Sequence, residues 1–100
     1  SFLRSGYDLT PWAEAVVSKI QKNWLLPAGQ WIGKTNQVGI SVWVKRNGQL
    51  TLMKVETASQ AKALDQAALR AINLSLPLPE LPDDFPEDQV ELYLVFEYHD

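Results

Sequence analysis

An Asn47-Gly48 pair stands between two runs of strand-forming residues, and this hairpin signal constrains the fold more than any other feature of the chain. Asn-Gly is typical of a type I′ turn, which requires positive φ at both central residues and leaves a two-residue loop. Apolar and polar residues alternate before the pair, as they do in a half-buried strand. The sequence therefore predicts a first strand over residues 38–46 and a second strand over residues 50–57.

A two-residue loop also predicts which residues of the hairpin face each other. It pairs Arg46 with Gln49, and the same register then brings apolar residues together on one face of the sheet. These apolar pairs are Ile40 with Val55 and Val42 with Met53.

The opposite face of the hairpin carries Trp43 opposite Leu52, and Lys45 opposite Leu50. Large apolar side chains on a second face of a sheet indicate either a cover or a binding surface. Two interpretations stay open. Other parts of the chain pack on Trp43, or Trp43, Leu50 and Leu52 form an exposed accessory patch that helps to bind a partner.

The segment VELYLVFEY, residues 90–98, predicts a third strand because it is dense in aromatic and branched apolar residues. One face of this strand is wholly apolar: Val90, Leu92, Leu94, Phe96 and Tyr98. The other face combines two carboxylates with two apolar or aromatic side chains: Glu91, Tyr93, Val95 and Glu97. We expect the first face to pack on the core and the second face to be partly exposed.

A first helix is predicted over residues 11–25, followed by a loop over residues 28–37. Thr10 is the expected N-cap, and Pro11 suits the first helical position. Apolar residues at helical spacing predict the buried stripe of this helix: Ala13, Val16, Val17, Ile20 and Trp24.

A second helix is predicted over residues 60–74, with Ser59 as its N-cap. Its expected buried stripe is Leu64, Ala67 or Ala68, Ala71 and Ile72. Residues 76–88, which we call the strap, hold four prolines and therefore exclude both a helix and a central strand. Apolar residues alternate with the prolines of the strap and predict that it runs along the body of the domain: Leu76, Leu78, Leu81 and Phe85.

The predicted order of helix, strand, strand, helix and strand indicates a two-layer α+β fold. A helix between strands two and three lets strand three pair with strand one, which gives a three-stranded antiparallel sheet of order 2-1-3 with both helices on one face. Strand three is then an edge, and its unpaired backbone groups are a template for another chain. We predict an N-terminal arm over residues 1–10, one domain over residues 11–98 and a tail at residues 99–100.

Composition argues against several classes of function. The net charge is −3 and the nine Lys and Arg residues are scattered, so nucleic acid is not expected as a partner. The chain has no cysteine and a single histidine, His99, which argues against a metal, a cofactor and catalysis. No apolar run approaches the roughly 20 residues of a membrane span. We expect a non-enzymatic domain that is not itself in the membrane.

Five segments in this order resemble the C-terminal periplasmic domain of TonB-family energy transducers and of the related TolA. They are VVSKIQKNWLLP (16–27) as the first helix, VGISVWVKRNGQL (38–50) as the hairpin, LDQAALRAI (64–72) as the second helix, PLPELPDDF (77–85) as the strap and VELYLVFEY (90–98) as the last strand. The resemblance covers residues 12–98. The short Tyr-Pro element that opens the best-known TonB domains has no counterpart before Val38, and the first helix and the strap look more like the TolA branch.

The resemblance implies a periplasmic energy-transducing domain that belongs to a longer protein, anchored to the inner membrane by an upstream helix. It implies that a proton-driven motor of the ExbB/ExbD type acts on that helix. It further implies that the edge of the last strand accepts a peptide of an outer-membrane TonB-dependent transporter by β-augmentation. Two alternatives remain. The domain could act in the Tol–Pal envelope-integrity system, as TolA-type domains do, or the same edge could pair with a second copy in a homodimer.

Overall fold

The computed structural model of the chain describes residues 3–4, 6–25, 36–59 and 61–98. A short antiparallel ribbon opens the chain, and a three-stranded antiparallel sheet of order β4-β3-β5 forms the body. The elements are β1 Leu3–Arg4, β2 Tyr7–Asp8, α1 Thr10–Asn23, β3 Asn36–Lys45, β4 Leu50–Thr57, α2 Lys62–Leu74 and β5 Gln89–Tyr98. The predicted α+β class, the strand order and the edge position of the last strand are confirmed.

The core lies on the face of the sheet that the two helices cover. Central strand β3 contributes its even-numbered apolar residues, and α2 contributes the stripe predicted from the sequence. The fully buried residues of these two elements are Val38, Ile40, Val42, Val44, Leu64, Ala68, Ala71 and Ile72. Leu9, in the segment that the sequence assigns to the N-terminal arm, is also fully buried.

Some sequence predictions fall on residues outside the described ranges. These are most of the loop over residues 28–37, since only Asn36 and Gln37 are described and both belong to β3, and the tail at residues 99–100 with His99. The domain boundary at residue 11 stays a prediction. In the part of the chain that the structure describes, no helix is both long enough and apolar enough to cross a membrane.

The buried stripe of α1 differs from the prediction. Trp12, Val16 and Ile20 are buried, whereas Val17 is 42% exposed. The stripe is rotated toward the strap because the Trp12 indole Nε1 donates to the Pro79 carbonyl at 2.8 Å. Val17 therefore lies on the flank of α1 and not in the core.

Both predicted N-caps are wrong. α1 begins at Thr10 itself, and the Asp8 carboxylate accepts a hydrogen bond from the Thr10 backbone N–H at 2.9 Å. Hydrogen bonds from the Thr10 hydroxyl and backbone hold the pKa of Asp8 below its ordinary value. α2 begins at Lys62 after Ala61, and Ser59 bonds the backbone of Ala61 in a local turn instead of capping the helix.

The hairpin keeps the predicted register from Ile40 to Trp43 and departs from it near the turn. Gly48 has φ +85°, its N–H donates to the Lys45 carbonyl at 2.9 Å, and β4 bulges so that Leu50 pairs with Val44. This is the three-residue loop with a bulge and not the two-residue type I′ turn. The predicted Lys45–Leu50 pair is therefore wrong, and Leu50 is turned toward the core.

The strap packs along the body as predicted, with Leu78, Leu81 and Phe85 buried. Three of its backbone carbonyls accept hydrogen bonds from a single side chain at the hairpin turn. The Arg46 guanidinium donates to the carbonyls of Pro82 at 3.1 Å, Phe85 at 2.6 Å and Glu87 at 2.6 Å. Hydrogen bonds to a charged donor are stronger than neutral ones, so Arg46 fixes the strap on the hairpin.

Replacing Arg46 should therefore loosen the strap. We expect Arg46→Ala to lower the free energy of unfolding by about 2–4 kcal/mol, because three partly buried carbonyls lose a charged donor. Arg46→Lys should recover only part of this, since an ammonium lacks the planar fork of five donors. Urea denaturation measures both, with Lys45→Ala, an exposed neighbour, expected within about 0.5 kcal/mol of wild type. Equal stability of Arg46→Lys and wild type would contradict the assignment.

The buried hydroxyl of Tyr98 joins the last strand to both helices. It accepts a hydrogen bond from the Trp24 indole Nε1 at 2.8 Å and donates one to the Leu64 carbonyl at 2.9 Å. The Trp24 ring also meets the rings of Phe96 and Tyr98 edge to face, with centroids 5.2 Å and 5.0 Å apart. These contacts fasten the end of β5 to the body.

Tyr98→Phe should lower the free energy of unfolding by about 1–3 kcal/mol, because the Trp24 N–H and the Leu64 carbonyl lose their partner. Burial raises the pKa of Tyr98 above its ordinary value of 10.0, so its contribution is complete below pH 10 and is lost as the pH rises through the folded pKa. The stability gap between the two proteins should consequently narrow above pH 10. A gap that widens in alkaline denaturation curves would refute this account.

Candidate functional site

Strand β5 pairs with β3 on one side, and no strand among the described residues pairs with its other side. The sequence predicted all of residues 90–98 as the binding edge, and the structure divides their side chains by parity. Val90, Leu92, Phe96 and Tyr98 are buried and Leu94 is half-buried, whereas Glu91, Tyr93, Val95 and Glu97 are exposed. Tyr93 is 54% exposed and Val95 is 49% exposed.

The backbone of β5 can be assigned in the same way. The N–H of Lys45 donates to the Gln49 carbonyl and its own carbonyl accepts from Gly48, so both backbone groups of Lys45 point toward β4. Backbone N–H and C=O groups change direction from each residue of a strand to the next. Those of Val44, Val42, Ile40 and Val38 therefore point toward β5. Their partners in β5 are Val90, Leu92, Leu94 and Phe96.

The residues between those partners direct their N–H and C=O groups away from the sheet. In the middle of the strand these are Glu91, Tyr93 and Val95. An added strand would therefore form its backbone hydrogen bonds with these three residues. Their side chains lie on the outer, helix-free face of the sheet.

A groove runs between α1 and the outer edge of β5. Its larger part has a volume of about 500 Å³ and reaches from Thr10 and Glu14 along α1 to Leu92. A smaller part of about 180 Å³ continues toward Trp24 and Phe96. Residues common to both parts join them: Val17, Gln21, Tyr93 and Leu94. The sequence did not indicate this wall of α1, because Val17 fits the period of a buried stripe.

The Tyr93 ring lies back over β3, away from the groove-side edge. Gly39 makes this conformation available, since a Cβ at that position would collide with the Tyr93 hydroxyl. The hydroxyl reaches across the sheet to the Thr57 hydroxyl at 3.4 Å. An aromatic side chain packed over a strand glycine is a recurring stabilising device in sheets.

The predicted accessory patch is only partly assembled. Trp43 is half-buried on the outer face, with Leu52 and Glu91 as its neighbours on the two flanking strands. Leu52 is 52% exposed beside it. Leu50 does not join them, because the bulge in β4 turns it to the core side. The outer face therefore offers Trp43 and Leu52 next to the edge strand.

The described side chains along this edge offer apolar contact surface together with carboxylates. No group of three metal-capable side chains is present among the described residues. The carboxylates of Glu14 and Glu91 form no hydrogen bond or ion pair with another described residue. The outer edge of β5 therefore combines unpaired backbone groups, a groove beside them and acidic side chains at one end, which are features that strand addition by a peptide can use.

The chain belongs to the TonB C-terminal family, because the profile of that family matches residues 9–96. The match includes α1, the hairpin, α2, the strap and most of β5. It confirms the resemblance inferred from the five sequence segments.

Two solution structures of the TonB C-terminal domain of Helicobacter pylori share the fold. The longer one, residues 179–285 of that protein, is 24% identical with a TM-score of 0.71, and the match covers 95% of this chain and 85% of that one. The shorter one, residues 194–285, is 25% identical with a TM-score of 0.64, and the match covers 87% of this chain and 91% of that one. No curated protein sequence matches the chain.

The contact between Gly39 and Tyr93 yields a prediction. Gly39→Ala should displace the Tyr93 ring and weaken the nuclear Overhauser contacts between that ring and Thr57, because the end of a side chain moves more easily than a strand. In a Tyr93→Ala background the same change should be neutral or stabilising, since glycine in a strand costs about 0.5–1 kcal/mol relative to alanine.

A double-mutant cycle of the two positions, measured by chemical denaturation, tests this coupling. The four proteins are wild type, the two single variants and the double variant. If Gly39→Ala changes the free energy of unfolding equally in both backgrounds, the Tyr93 ring does not depend on the glycine.

Proposed function

We propose that this domain is a non-enzymatic, periplasmic energy-transducing module that couples an inner-membrane proton-driven motor to an outer-membrane transporter. It binds the transporter through the addition of an extended transporter peptide to the outer edge of β5. The motor, of the ExbB/ExbD type, acts through a membrane anchor in a longer protein of which this domain is the C-terminal part. Family membership supports the transducer role, and matches to TonB domains favour a transporter over Tol–Pal components.

The observation that carries the proposal is the outer edge of β5 itself. The outward backbone groups of Glu91, Tyr93 and Val95 are placed to bond a partner strand, and the groove beside them has room for the partner's side chains. Exposed edges of this length are usually blocked by charge, proline or a covering element. Here α1 stands beside the edge with the groove between them and does not cover it.

Strand addition also suits the transmission of force. The far end of β5 is fastened by Tyr98 to Trp24 and Leu64, and its near end follows the strap that Arg46 fixes. Over its whole length β5 is paired with β3, in a register that runs from Lys45–Gln89 to Asn36–Tyr98. A pull on an added strand would act on several of its backbone hydrogen bonds to β5 at the same time. Strand β5 is itself held at both ends, so it can carry this force.

Proline substitution tests the edge. In Val95→Pro the lost N–H faces the free edge, so the sheet keeps its bonds to β3 and the domain should stay folded. Binding of a plug-proximal peptide from an outer-membrane transporter should weaken about tenfold, equivalent to ~1.4 kcal/mol. Isothermal titration measures the affinity, and amide-shift mapping should place the perturbations at Glu91, Tyr93 and Val95.

Val55→Pro is the matched control. It makes the same substitution on the opposite edge strand, β4, where Val55 lies between residues that bond β3, so its N–H also points outward. This variant should bind the peptide like wild type. Glu91→Pro provides a second edge variant if Val95→Pro fails to fold. Perturbations confined to β4 or to the loops, with β5 silent, would reject the proposal.

A further inference from the structure

We infer that the strand accepted by the β5 edge is amphipathic in alternation, with small apolar side chains toward α1 and a cationic side chain at the end of the edge near Glu14 and Glu91. This inference rests on the proposed strand addition and specifies the chemistry of the partner. It assigns Val17 and Glu14 of α1, together with Glu91 of β5, as determinants of specificity.

The apolar half of the pattern follows from the groove. Side chains of an added strand alternate between the two faces of the sheet, so every second one would point to the helix side. There it would meet Ala13, Val17 and Leu94, which are apolar, with Gln21 in the middle of the wall. Val17 is 42% exposed without a partner, and contact with an apolar side chain would remove that surface from water.

The room in the groove limits the size of these side chains. About 500 Å³ is available in the larger part, and it narrows to about 180 Å³ toward Trp24 and Phe96. A run of small, branched residues such as valine fits both parts and also favours the extended conformation. Large aromatic residues fit only the wider end, beside Glu14.

The cationic half follows from the charges. Glu14 stands on the groove side near Leu92, and Glu91 stands on the outer face one residue before Leu92, so two carboxylates flank the same end of the edge. Neither has an ion-pair partner among the described residues. Among the described residues, no lysine or arginine lines either part of the groove. A carboxylate beside a partner strand favours an opposite charge and disfavours a like charge.

The test uses four designed heptapeptides, acetylated and amidated, whose inward positions are valine: KVTVTVT, TVTVTVK, EVTVTVT and TVTVTVE. The two lysine peptides allow for either direction of the added strand. In one of the two pairs, the one whose charged end lies near Glu91 when the strand adds, the lysine peptide should bind roughly threefold to tenfold more tightly than its glutamate counterpart. Glu91→Lys, on the same face as the peptide lysine, should remove or reverse this preference. Glu14→Lys, across the edge from it, should reduce the preference, and Glu80→Lys, an equal change of charge on the strap, should leave it unchanged.

The apolar half is tested on the same peptides. Val17→Asp should weaken the preferred peptide at least tenfold, because it places a charge against valine in the groove. Val17→Ala should weaken it less. A peptide with serine at all inward positions should bind wild type no better than the valine peptide binds Val17→Asp. Thermal unfolding of each variant confirms that the domain remains folded.

The outcomes separate this inference from the proposed function. If a transporter peptide perturbs β5 but affinity is indifferent to lysine, to Glu14 and Glu91 and to Val17, the inference is overturned and strand addition stands. If neither transporter peptides nor designed peptides perturb β5, the proposed function is overturned and the inference falls with it.

Discussion

The contact on which the rest of the structure depends is that between the Arg46 guanidinium and the strap carbonyls. The strap is rich in proline, which lacks a backbone N–H, so it does not pair as a strand of the sheet. Its carbonyls must therefore find hydrogen-bond donors elsewhere. Arg46 supplies donors to Pro82, Phe85 and Glu87, and Trp12 and Lys19 of α1 donate to Pro79 and Pro77. The strap is thereby held between the hairpin turn and α1. Because β5 begins directly after it, this placement also decides where the last strand enters the sheet.

The entry point of β5 in turn decides which groups remain open. Gln89 pairs with Lys45 at the hairpin end, and all later residues of β5 follow in register. A shift of one residue would exchange the buried and exposed faces and would point a different set of backbone groups outward. The buried apolar side chains of the strap and the buried face of β5 both oppose such a shift. The exposed Glu91, Tyr93 and Val95 follow from core packing that involves none of their own side chains.

Much of this architecture is predictable from the sequence, since the alternation of strands and the proline content of the strap each admit one interpretation, and the stripe of α2 leaves open only the choice between Ala67 and Ala68. The errors have local causes. At Leu50, a three-residue loop and a two-residue loop share the Asn-Gly signal, and only the bulge decides between them. At Val17, helical period alone does not show that Trp12 turns the buried stripe toward the strap. The edge strand was predicted, but the groove beside it was not. The groove depends on how α1 and β5 pack against each other, which the sequence pattern does not give.

The same edge also bears on whether the domain pairs with itself. An antiparallel pair of β5 strands must match outward backbone groups with outward groups. The register that centres the pair on Leu94 places Tyr93 opposite Val95 of a second copy, and Glu91 then faces Glu97 of that copy at both ends. Like charges directly opposite each other destabilise a strand pair, and two such pairs would occur in one dimer. A strand that carries a cation at one end and none of these carboxylates avoids that repulsion, so the charges of the edge disfavour this register of a second copy and favour a partner of different composition over it.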